Sequence, residues 1–108
     1  MTNARAAYIP PGKRAEYSLD ADHPTGKHKA RVFRAALGIG AADADWLTAR
    51  ILDAICVANA FDEATTPFGH RYAVESPLTT DVGTATVRTT WLVRHHESFP
   101  RLTFCYIP

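Results

Sequence analysis

Cysteine is scarce in this 108-residue chain: there are two, Cys56 and Cys105. They form no C-x-x-C pair, and no histidine stands at zinc-finger spacing from either, so a zinc finger is excluded. Both lie in apolar stretches, and the expectation is two buried, reduced thiols; a bridge between them is the alternative. Long hydrophobic runs are missing too. None approaches the ~18–20 residues that span a bilayer, and residues 1–14 lack the apolar centre of a signal peptide. The expectation is a cytoplasmic protein with no membrane attachment. Nor does one sign of charge dominate. Twelve Lys and Arg stand against eleven Asp and Glu, for a formal net charge of +1. A histone-like nucleic-acid binder and an acidic solvating tail are both excluded.

Several motifs are absent as well. No phosphate-cradling G-x-x-x-x-G-K-[ST] or G-x-G-x-x-G loop occurs, and Gly38-Ile-Gly40 follows a helical pattern, which makes it a terminator. No G-x-S-x-G elbow is present, and Ser76 and Ser98 sit beside a proline or in a loop, which argues against serine nucleophile chemistry. The adjacent His95 and His96 would point to opposite faces of a strand and could not chelate together. No metal site and no other cofactor is expected.

What is present is a change of period. With 46% hydrophobic side chains the chain can fill one core, and residues 1–108 read as a single domain. A short helix is predicted from Pro11 to about Leu19, then a turn over 20–26. From Lys27 to Leu37 the spacing is helical. Ala30, Phe33 and Leu37 form an apolar stripe, and Lys27, Arg31 and Arg34 form another face. Residues 41–59 are the strongest helix prediction, with Leu47, Ile51 and Ile55 in phase and Asp43 and Asp45 at the positive end of the dipole. After Asn59 the period drops to two. Strands are predicted over 60–66, 71–74, 84–94 and 102–107, with Pro77 ending the second or marking an edge. In the third, Val87, Thr89 and Trp91 face one way, and Arg88 and Thr90 face the other. The last strand is apolar on both faces and reads as central or doubly covered. Helices before strands predict an α+β fold: two to three N-terminal helices packed on one face of a four-stranded antiparallel sheet.

The charge is unevenly spread. Residues 1–34 carry seven basic against three acidic side chains, and the remainder carries five against eight. This asymmetry suggests a local anion partner, although a basic helix face is also what solvent exposure produces. His23, Lys27, Lys29, Arg88 and Thr90 are the grouping with chemical content. A base, an acid, fixed cations and hydroxyls converging on one phosphate are what metal-free RNA cleavage needs, because the RNA's own 2′-OH is the nucleophile. The same T-x-T-x-R-x-T strand face is also that of an ordinary solvated sheet.

Beyond this, the chain resembles a known group. The strings Ala7-Tyr-Ile-Pro-Pro-Gly-Lys13, His23-Pro-x-Gly26-x-x-Lys29-Ala30-x-x-Phe33 and Leu37-Gly38 resemble a family of small bacterial domains. Thr66-Pro-Phe-Gly, Pro77-Leu-Thr79, Val87-Arg-Thr-x-Trp91 and Pro100-Arg-Leu102 follow in order. Such domains stand alone or at the C-terminal tip of polymorphic toxins, and their layout is similar to that of the barnase, EndoU, colicin and RelE-like ribonuclease toxins. The resemblance implies His23, Lys29, Arg88 and Thr90 as catalytic residues. Lys27 and Arg31 of the basic helix face and the Tyr106 phenol are the substrate-binding candidates, with a core sheet aromatic the alternative for Tyr106. It also implies RNA as substrate and an acidic inhibitor protein as partner. There is one departure: a hydroxyl expected on the last strand falls on Phe104, with Thr103 predicted on the opposite face. The readings that follow are a metal-independent endoribonuclease, a catalytically inactive RNA- or protein-binding module of the same fold, and a structural or oligomerising domain.

Overall fold

The architecture comes from a computed structural model that describes residues 3–10, 19, 27–57 and 60–108. The short helix and turn predicted over 11–26 lie outside the described residues, apart from Leu19, which is buried in the core. Among the described residues, two α-helices follow the predicted order: α1, Lys27–Leu37, and α2, Ala44–Val57. Four strands succeed them: β1, Phe61–Thr66; β2, Gly69–Thr79; β3, Thr84–Arg94; and β4, Arg101–Tyr106. They pair antiparallel in the order β1-β2-β3-β4. One further rung, a single-residue parallel bridge from Tyr8 to Arg101, adds a fifth segment beside β4. The result is α+β, with two helices packed on a multi-stranded antiparallel sheet.

Local chemistry explains where α1 stops. Gly38 takes φ +68°, and its N–H bonds the Arg34 carbonyl at 2.9 Å. A side chain there would be strained and would collide with the Val82 side chain. The Thr80 hydroxyl donates to the Leu37 carbonyl at 2.6 Å, tying that helix end to the β2–β3 turn. A 3₁₀ turn, Ala41–Asp43, leads into α2, and the Asp43 carboxylate accepts the Gly40 N–H at 2.9 Å. α2 is therefore shorter at its start than the prediction over 41–59, and residues 58 and 59 lie outside the described residues.

The core lies between the helices and one sheet face. Phe33 and Leu37 of α1 and Leu47, Ile51 and Ile55 of α2 cluster with Val74, Val87, Trp91, Leu102 and Cys105. These helical spacings and the alternation of β3 are the two periodicities seen in the sequence. Trp91 is fully buried, and its indole N–H donates to the Thr89 hydroxyl at 2.8 Å, so the one polar atom of the ring is satisfied.

Several expectations are corrected. β2 runs straight through Pro77. Its pairing with β1 ends at Phe61↔Ala73, so at Pro77 one side of β2 is an edge and the missing N–H costs nothing there. β4 is the last of the four ladder strands, and beyond it only the Tyr8 bridge at Arg101 is seen among the described residues, so it is flanked on both sides at its start alone. Its apolar residues are distributed by a bulge: Leu102 and Cys105 are both buried, three positions apart instead of two. Cys56 is exposed, because it follows the core-facing Ile55 by one step around α2. Cys105 is buried, and burial pushes its thiol up to about 12. At pH 8 a thiol-alkylating reagent is expected to modify Cys56 rapidly in the native protein and Cys105 only after denaturation, since only the thiolate reacts. Intact-mass measurement before and after adding denaturant checks this, and rapid double labelling of the folded chain would contradict the packing.

Candidate functional site

The face of the sheet opposite the helices carries the polar side of β3. Antiparallel register sets each neighbour: Arg88 lies between Glu75 of β2 and Tyr106 of β4, and Thr90 between Ala73 and Phe104. Residues directly opposite share a face, so these side chains stand side by side. The Arg88 guanidinium donates through Nε to Glu75 Oε1 at 2.9 Å, and its Nη2 donates to the same oxygen. Hydrogen bonds to Tyr106, and then to Glu75, raise the Arg88 pKa above its ordinary value. Arg88 is thus a fixed cation, oriented from both flanking strands, on a half-exposed surface.

Lys29 reaches this group from the helical layer. α1 packs on the Val87–Trp91 face, yet the Lys29 ammonium lies 4.8 Å from the Phe104 ring centre and 5.7 Å from that of Tyr106. Its side chain therefore passes the outer edge of β4, where cation–π attraction to the two rings holds it. Two predicted site residues, Lys29 and Arg88, consequently converge on Tyr106 from different layers of the fold. The helix itself does not cross the polar face, contrary to the simplest picture from sequence.

The bulge in β4 settles the hydroxyl question differently from the strand pattern. Between Thr90 and Trp91 the pairing with β4 shifts register, and Thr103 joins Phe104 on the polar face. Thr103 Oγ1 lies 2.6 Å from Thr90 Oγ1 and donates to the Thr90 carbonyl at 3.0 Å. A hydroxyl has one proton. With the Thr103 proton on the carbonyl, the Thr90 proton is committed to Thr103. Thr90 is also buried. In this arrangement it locks the bulge and orients Thr103, which is a supporting role and not that of a free donor to a ligand.

The remaining sequence candidates divide. His23 lies outside the described residues, and the side chain of Lys27 is likewise not described. Arg31 is exposed on α1, two residues from Lys29 and so on another side of the helix, away from the Arg88 group. Tyr106 is at the centre. Sequence reading missed Glu75. It falls in what looked like the fading end of a strand, and only the register places it opposite Arg88. No group of three or more His, Cys, Asp or Glu side chains able to hold a metal ion occurs among the described residues. No described helix is long and apolar enough to cross a membrane.

A family model described as a domain of unknown function, DUF6883, matches residues 1–108. No curated protein matches the chain.

Proposed function

The chain belongs to the DUF6883 family, and for it we propose metal-independent endoribonuclease activity of the bacterial toxin type, with a four-stranded sheet as its working platform. The observation that carries this reading is the Arg88 guanidinium held between Glu75 and Tyr106, with the Lys29 ammonium beside the same phenol ring. A carboxylate, two cations and a phenol around one point are suited to a phosphodiester. The 2′-OH of the RNA gives its proton to the Glu75 carboxylate, which Arg88 holds through Oε1. O2′ bonds to phosphorus, and the bond from phosphorus to O5′ breaks. His23, which sequence reading proposed as the acid/base, serves here as the acid and returns a proton to the departing O5′. Arg88 and Lys29 offset the charge gathering on the phosphorane oxygens. The products are a 2′,3′-cyclic phosphate and a 5′-hydroxyl end.

The Phe104 ring, standing where a hydroxyl was expected, favours a second reading: an RNA-binding module of the same fold that performs no cleavage. One incubation separates the two. Single-stranded RNA mixed with the protein in excess chelator is expected to acquire 2′,3′-cyclic phosphate ends, detected by mass spectrometry. Retention of intact RNA in a stable complex would select the module instead. A cytoplasmic ribonuclease would endanger its own cell, so the first reading also entails an acidic inhibitor protein. The exposed Arg31 and Arg34 of α1 supply a basic surface that such a partner could steer toward.

A further inference from the structure

Lys29 is held differently from the arginines that follow α1. All five of those pair with a carboxylate, as Arg88 does with Glu75. Lys29 has no carboxylate partner among the described residues; its ammonium lies 4.8 Å from the Phe104 ring centre and 5.7 Å from that of Tyr106. We propose that Phe104 is a positioning residue of the RNA site: its ring seats Lys29 beside the Arg88 group without cancelling the ammonium charge, so that a phosphate meets a cation already in place. The inference rests on the RNA reading above and adds to that site a residue that acts through Lys29.

Three observations carry it. The first is electrostatic. A carboxylate fixes a cation but competes with an incoming anion for it, and Arg88 is under that competition because Glu75 occupies its Nε. An aromatic face attracts an ammonium through its quadrupole and adds no net charge. With Arg88 offset by Glu75, the net positive charge of the group therefore comes from Lys29. The second is geometric. Phe104 and Tyr106 are two residues apart in a regular stretch of β4, about 7 Å along one face. At 4.8 and 5.7 Å from their centres, the ammonium lies over the gap between the rings. A lysine stem has much rotamer freedom, and two rings that confine it reduce what an incoming phosphate must still order. The third is separability. Tyr106 is tied to Arg88 by a hydrogen bond, whereas the Phe104 ring has no polar atom and stands outside the core cluster. Replacing it therefore releases Lys29 and leaves Arg88 between Glu75 and Tyr106.

The test is a double-mutant cycle, read by equilibrium binding of a short, fluorescently labelled 2′-O-methyl RNA, which lacks the free 2′-OH and cannot be cleaved. Lys29→Met keeps an unbranched stem and removes the charge. It is expected to weaken binding and to lower the slope of affinity against salt by about one. Phe104→Leu is expected to weaken binding about two- to tenfold in the parent and to have no effect in the Lys29→Met background. Its melting temperature should stay close to the parent's, because Phe104 is half-exposed. Phe104→Tyr keeps the ring and is expected to bind like the parent. Nuclear magnetic resonance reads the seat without RNA: ring currents should shift the Lys29 Hε signals upfield in the parent and in Phe104→Tyr, and Phe104→Leu should relax them. Phe104→Leu binding as tightly as the parent, or weakening binding equally with and without the Lys29 charge, would overturn the positioning role and leave the phosphate site at Arg88 standing. Unshifted Lys29 signals in the parent would overturn it as well. If the parent protein neither binds this probe nor cleaves its 2′-hydroxyl counterpart, the RNA reading and the positioning role fall together.

Discussion

Arg88→Ala is expected to reduce RNA cleavage by about 10²–10³-fold while leaving the far-ultraviolet circular dichroism and the melting temperature close to those of the parent. The two halves of that expectation come from the same geometry. The guanidinium is half-exposed and bonded to Glu75 and Tyr106, so its loss opens no cavity in the core. Its absence removes a cation aligned from both neighbouring strands. Arg88→Lys is expected to recover little, because an ammonium cannot present the planar fork that meets Glu75 and Tyr106 together. Glu75→Gln is expected to be equally defective, since the amide keeps the shape of the side chain but cannot take a proton. Initial rates on a single-stranded RNA across pH 4–9 check all three variants. Arg88→Ala cleaving at the parent rate, with its fold intact, would remove this cluster from the mechanism.

Trp91→Ala is expected to cost about 3–5 kcal/mol of folding stability. Domains of this size are stable by about 5–15 kcal/mol in total, so the variant should sit near the limit of folding. The cost has two sources. The indole is fully buried between the sheet and the helices, and it belongs to the cluster that joins Phe33 and Leu37 of α1 to Leu47 and Ile55 of α2. Its removal leaves a void that the helices cannot close without leaving the sheet. It also strips the Thr89 hydroxyl of its indole partner at 2.8 Å, leaving only a long contact of 3.5 Å to the Val74 carbonyl. Trp91→Phe keeps most of the volume and loses only the indole N–H, so its cost is expected to be well below that of alanine. Urea titration of the three proteins measures the difference. A Trp91→Ala protein with an unchanged midpoint would mean that β3 does not face the helices as described.

The helices and β3 were readable because their signals are local. Ala30, Phe33 and Leu37 fall on one stripe at helical spacing, and all three are buried. The alternation of Val87, Thr89 and Trp91 against Arg88 and Thr90 set the two faces of β3 before any partner strand was known, and all three of the first set are buried. β4 was read in part. Its apolar residues on both faces suggested a central or doubly covered strand; its far side carries the Tyr8 bridge at its start, and a bulge supplies the apolar pattern by placing Leu102 and Cys105 three apart. The bulge also moved Thr103 to the face of Thr90, which strict alternation forbids. Nothing within six residues of strand reveals that shift, because it is a property of the pairing with β3.

The sequence by itself determined the places of α1 and α2, the alternation of β3, the apolar stripes that meet in the core and the presence of Lys29, Arg88 and Tyr106 as chemistry-bearing side chains. Each depends on periodicity within a few residues, and side-chain direction follows from backbone geometry at that range. Only the tertiary structure decided which of those residues meet. Glu75 reaches Arg88 because β2 pairs with β3 in one register out of many. Lys29 joins them because α1, packed on the opposite face, lies close enough to the β4 edge for a long side chain to pass around it. Such contacts between residues distant in sequence are fixed by burial of the whole sheet face, since a slip of one residue would expose the core and bury the charges.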